Sequence, residues 1–155
     1  MIPQELKNYL DANNDLNLLD GYITLFDTED SKRYSKLLEK QFPLSENNIV
    51  IGKTAFCDML IWDGSHVLLF KPFDNEVTVI LSGFGFFFDN IMDEEYQKDY
   101  FELNLYSQAV EKLGKLSSDE SFIFNPIRAL GGDKSIENLD KGKTDVYLQF
   151  LIEFI

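Results

Sequence analysis

Residues 56–81, FCDMLIWDGSHVLLFKPFDNEVTVIL, hold three apolar runs parted by two turn signals. Phe56 to Trp62, His66 to Pro72 and Glu76 to Leu81 are each the length of a strand and too short for a stable helix. Asp63-Gly64-Ser65 and Phe73-Asp74-Asn75 carry the residue types that reverse a chain. Connections this short join only antiparallel neighbours, so the stretch is predicted to be an antiparallel meander.

Working outward, Pro3 opens a short helix with Leu6, Tyr9 and Leu10 on one side, and the polar DANNDLN (residues 11–17) breaks it. Asp20-Gly21 introduces a strand-like run, Tyr22 to Phe26. A helix then spans about Glu29 to Gln41, with Tyr34, Leu37, Leu38 and Phe42 on one face and Pro43 as its stop. Ile49 to Gly52 leads into the meander. After it the period changes at Ser82-Gly83. Phe84, Phe87, Phe88, Ile91 and Met92 fit a helical face, and a long helix is expected from about Asp93 to Leu113, ended by Gly114. Phe122-Ile123-Phe124 forms a strand, and a last helix begins near Lys143. Helices and strands in this order, with strands adjacent in sequence, give an α+β fold: an antiparallel sheet built on the central meander and flanked by helices.

A chain of 155 residues buries roughly 70% of its unfolded surface and folds without a disulfide or a structural metal. Fourteen Phe and seven Tyr supply rings for the core and leave some for an interface. The net charge is −13 and the pI near 4.3. That excludes the basic footprint of a nucleic-acid binder and disfavours an anionic membrane surface. A basic protein partner is attracted by the same field. One cysteine, Cys57, precludes an internal disulfide, and the N-terminus has neither the basic nor the apolar region of a signal peptide. The cytoplasm is the expected compartment.

Residues with catalytic chemistry are few. Gly131-Gly132, in NPIRALGGDKSIENLD (residues 125–140), precedes a Lys-Ser pair, but the first glycine of a phosphate loop is missing and Asp133 repels phosphate. The pair is expected to form a turn that needs positive φ. His66, the single histidine, sits on a strand. One histidine and one cysteine cannot make a zinc site, so no metal or cofactor is expected. Cys57 lies among apolar residues and is expected to be a buried, inert thiol. Acidic residues dominate from Asp58 to Glu102, opposed only by Lys71 and Lys98. Among them Asp89, Asp93, Glu94 and Glu95 cluster where two helices are expected to meet.

Gly52-Lys53-Thr54-Ala55-Phe56-Cys57-Asp58 followed by Trp62-Asp63-Gly64 resembles the opening of the C-terminal domain of the type VI secretion immunity proteins that carry a GAD-like N-terminal half. The family pattern is Gly-x-Thr-Ala-Phe-Gly-Asp, then an apolar strand and Trp. Pro126-Ile127-Arg128-Ala129-Leu130-Gly131-Gly132 resembles its Pro-x-x-Ala-Leu-Gly-Gly. Leu105-Tyr106, Leu113-Gly114-Lys115-Leu116, Glu120 and Glu137-Asn138-Leu139 follow in the family's order. Residues 20–42 are similar, more weakly, to the end of the GAD-like half. Cys57 stands where the family has glycine, and Arg128 where it has an apolar residue.

The resemblance implies a short GAD-like portion, residues 1–48, packed on an immunity-type domain, residues 49–155, as one compact unit. It implies a cytoplasmic, non-catalytic bacterial protein that binds and occludes a cognate toxin with a basic surface, such as a nuclease. The family pattern assigns no contact residues. Charge and exposure nominate Asp89, Asp93, Glu94 and Glu95, with Tyr96 and Tyr100 as aromatic anchors. The alternatives are a non-catalytic scaffold of the same fold, or a small hydrolase using a pair of carboxylates.

Overall fold

The computed structural model describes residues 1–39 and 47–155. Its six helices are α1 (Gln4–Ala12), α2 (Thr28–Glu39), α3 (Phe87–Ile91), α4 (Glu94–Tyr100), α5 (Leu103–Leu113) and α6 (Thr144–Ile152). Its strands are β1 (Asn17–Leu18), β2 (Ile23–Leu25), β3 (Ile49–Thr54), β4 (Met59–Trp62), β5 (His66–Lys71), β6 (Glu76–Ser82), β7 (Glu120–Phe124) and β8 (Leu139–Lys143). The first six strands make one antiparallel sheet in sequential order, and β7 and β8 pair as a separate hairpin ladder. The fold is α+β with a central meander, as the sequence predicts. The expected helix end at Gln41, with Phe42 and Pro43, lies outside the described residues.

Two expectations need correction, and two strands go unread in the sequence. The long helix from Asp93 to Leu113 is two helices, α4 and α5, broken at Phe101-Glu102. Phe101 is buried with an extended backbone, and the Glu102 N–H donates to the Tyr22 hydroxyl at 3.1 Å. A tertiary partner thus replaces the helical one, which hydrophobic periodicity does not reveal. The strand expected from Phe56 begins instead at Met59, because residues 55–58 form a turn. The strands β1 and β8 escape the sequence reading: β1 is two residues at the end of the polar break, and β8 (LDKGK) has no alternating apolar pattern.

The turn at 54–58 is where the family-like motif does its work. The Thr54 hydroxyl donates to Asp58 Oδ2 at 3.0 Å and accepts from the Asp58 and Phe56 N–H groups at 3.3 Å. Thr54 N–H also donates to the Asp58 carbonyl. Cys57 sits at φ +66, the left-handed region where a Cβ is costly and glycine is favoured. A glycine would fit the same backbone without that cost. The thiol is fully buried, and burial pushes its pKa up to about 12, which makes it inert. Gly52 is required for space: a Cβ there would come within 2.8 Å of the Thr24 carbonyl on β2.

The rings gather where the two sheets meet. Tyr22 lies edge-on to Phe56 and Tyr106, Phe56 stacks on Phe124, and Phe122 reaches both Phe56 and Tyr106, with centroids 5.5–6.2 Å apart. The outer ladder is tied to the motif by backbone, Phe122 N–H to the Ala55 carbonyl at 2.7 Å, and by the buried Lys53 ammonium, which donates to the Glu120 carbonyl at 2.7 Å. The strand β2, from the amino-terminal part, pairs with β3 from Ile23↔Thr54 to Leu25↔Gly52.

Candidate partner-binding surface

The segment after β6 is pinned by its aromatic side. Phe84 stands edge-on to Trp62 and stacks on Phe87, while Phe88 stacks on Tyr9 of α1 at 4.6 Å. Phe87 and Ile91 are buried. This anchoring turns the other side of α3 outward with Asp89. Met92, expected on the buried face, is 66% exposed because α3 ends one residue earlier; Phe86, not singled out by sequence, is 71% exposed.

Asp93 caps α4. Its Oδ1 accepts from the N–H groups of Glu95 and Tyr96 at 2.9 and 3.1 Å, satisfying two donors that a helix start leaves unpaired. Glu94 and Glu95 fill the first turn, where the helix dipole favours negative charge. All four nominated acids are exposed. Tyr96 is half-buried: its hydroxyl donates to the Ile80 carbonyl of β6 at 2.6 Å, and burial, followed by the neighbouring Tyr100, pushes its pKa up to about 12. Tyr100 leans edge-on against it at 4.8 Å. Tyr96 therefore fixes α4 to the sheet, and the exposed apolar contacts of this surface are Phe86 and Met92. The surface is a negatively charged ridge with two large exposed apolar side chains on it.

Three other acids of the run, Asp58, Asp74 and Glu102, are held by the fold, which sequence counting does not reveal. Asp58 is fully buried, and burial lifts its carboxyl to about 7. Asp74, on the β5–β6 turn, meets two cations from far along the chain. Arg128 Nη2 and Lys134 Nζ each lie 2.7 Å from its carboxylate, and Lys134 is also 3.6 Å from Glu102 Oε2. Partial burial raises Asp74, but hydrogen bonds from Lys134 and Arg128 and their charges outweigh it and hold the carboxyl below its usual value. Arg128, the departure from the family pattern, also lies over the Phe73 ring at 5.0 Å. Two carboxylates, Asp74 and Glu102, thus converge on the Lys134 ammonium, whose charge also acts on the buried Asp58.

Gly131 and Gly132 deliver Lys134 to that cluster, for two different reasons. Gly131 has φ +91, as expected of a turn glycine. Gly132 does not; a Cβ there would overlap the Pro126 carbonyl and stand 3.0 Å from the Ile127 oxygen. The pair makes a close crossing of backbone rather than a phosphate cradle.

A groove of about 640 Å³ lies between α1, α2 and β3, lined by apolar chains that include Leu6, Leu10, Phe26 and Ile51. Its Asp27 accepts the Asp30 N–H at the start of α2 and is committed to that cap. Among the described residues no group of three or more His, Cys, Asp or Glu side chains could hold a metal ion. No helix there is long and apolar enough to cross a membrane.

The fold and this surface define an α+β protein with an acidic ridge beside the last strand of its sheet. A model of the family described as T6SS immunity protein Tdi1, C-terminal, matches residues 82–154. The match supports the likeness to type VI secretion immunity proteins over that part of the chain. The crystal structure of Atu4351 from Agrobacterium tumefaciens matches with a TM-score of 0.75, covering 98% of this chain and 76% of that chain at 16% identity. At that identity the likeness is one of fold. No curated protein matches the chain.

Proposed function

We propose that this protein is an immunity protein that binds a cognate type VI secretion toxin through the acidic ridge of α3 and α4 and blocks it by occlusion, without chemistry of its own. The observation that carries this reading is a coincidence of position. The match to the immunity-protein model begins at Ser82 and spans Phe86 to Tyr100, the segment that bears the exposed acids together with Phe86 and Met92. A net charge of −13 draws a cationic enzyme at long range, and a nuclease, which must hold phosphate, has such a surface. The family-like motif at 52–58 and the two glycines at 131–132 are spent on the fold, which supports a role by shape and charge rather than by catalysis. Residues 1–48, the GAD-like portion, and residues 49–155 act as one compact unit in the cytoplasm, joined through the β2–β3 pairing.

Co-expression tests this directly. Bacteria producing the toxin encoded beside this gene are expected to survive only when this protein is present, and the two are expected to co-purify. Equal killing with and without it, and no complex, would overturn the reading.

A further inference from the structure

We propose that the outer edge of β6 is a strand-docking site, and that its occupant is an extended, basic segment of the toxin that adds to the sheet next to β6. The proposal rests on the immunity reading above and adds a mode of contact to it.

Strand β6 ends the six-stranded sheet and pairs only with β5 among the described residues. At seven residues it is long enough to bind a peptide by main-chain hydrogen bonds, while β1, at the opposite edge, has two residues. Natural sheets protect such an edge with lysine, proline, a bulge or a covering element. EVTVILS contains neither lysine nor proline. Its register shift falls at Ile80, where Tyr96 also reaches the backbone, so both devices leave Glu76 to Val79 clear. Val77 and Val79 share one face and are 46% and 54% exposed, whereas their partners on β5, Phe70 and Leu68, are buried and half-buried. The layer over β5 stops short of β6 and leaves two aliphatic side chains open beside a free edge.

Charge selects the occupant. Glu76 is exposed on β6 itself, and the Tyr96 bond to Ile80 holds the acidic start of α4 against the other end of the strand. A second copy of this chain would bring those carboxylates against their own kind, and like charges across an interface are repelled. A strand alternating aliphatic with Lys or Arg side chains satisfies both the valines and the acids.

The test uses the full chain and the purified toxin domain encoded by the neighbouring gene. Amide exchange in residues 76–79 is expected to slow at least tenfold in the complex. The double variant Val77→Lys and Val79→Lys, at two exposed positions, is expected to fold as the wild type does and to bind the toxin at least tenfold more weakly. Unchanged exchange at 76–79 and unchanged affinity of the variant, with the wild type still binding, would overturn the edge site and leave the immunity reading standing. A wild type that fails to bind the toxin overturns both. A wild-type dimer that the lysines dissociate would give the edge to a second copy and overturn the proposal.

Discussion

Gly132→Ala is expected to destabilise the protein by about 3 kcal/mol, while Gly131→Ala costs about 1 kcal/mol. The two neighbours differ because they are glycine for different reasons. At Gly131 an added methyl meets nothing within 4 Å, and the penalty is that of a side chain at φ +91. At Gly132 the methyl would overlap the Pro126 carbonyl, which is backbone and cannot rotate away. The Gly132 N–H also donates to the Ile127 carbonyl at 2.9 Å, so relief by shifting the loop breaks that bond and draws Lys134, two residues on, out of its cluster. Urea unfolding of the two variants side by side measures the difference; equal losses would show that the crossing is not tight.

Lys134→Met is expected to cost about 3–5 kcal/mol. The methionine fills the space, but Glu102 Oε2, already without a hydrogen bond, loses its nearest cation, and Asp74 keeps only Arg128. Asp58→Asn in the same chain is expected to recover part of the loss, since it removes one of the uncompensated charges. Asp58 also gives the wild type a pH dependence. Its folded pKa, about 7, lies above the ordinary carboxyl value near 3.9, so between those values the folded state holds the proton more tightly. Stability from this group is full below about pH 4, falls as the pH rises, and levels off above about 7. Asp74, held low, acts in the opposite sense and only in acid. Asp58→Asn should flatten the decline between pH 4 and 7; a slope that persists in the variant would show that another group produces it.

What could be read from the sequence was whatever local chemistry decides. Asp63-Gly64 and Phe73-Asp74-Asn75 turn the chain where expected, so the meander follows from residues 56–81, and the flanking helical patterns complete the fold class. Cys57 is buried and inert, as its apolar neighbours imply. Several misses share one cause, a partner distant in sequence. The break at Phe101-Glu102 depends on Tyr22, and β8 exists because β7 offers it a ladder. Asp58 counts as a surface acid until its burial is seen, and Arg128 lies 54 residues from the Asp74 it pairs with. Asp89, Asp93, Glu94 and Glu95 face solvent as expected, because helix starts are legible. The exposure of Phe86 and Met92 was not legible, because it follows from where a five-residue helix stops.

Association kinetics with the purified toxin over a range of ionic strength test the acidic ridge most directly. The variant carries Asp89→Lys, Glu94→Lys and Glu95→Lys, with Asp93→Asn so that the cap of α4 is kept. For the wild type, the association rate should fall steeply as salt is added; for the variant it should be at least tenfold lower at low salt and nearly independent of salt. Equal rates with equal salt dependence would contradict capture of a cationic enzyme by this surface.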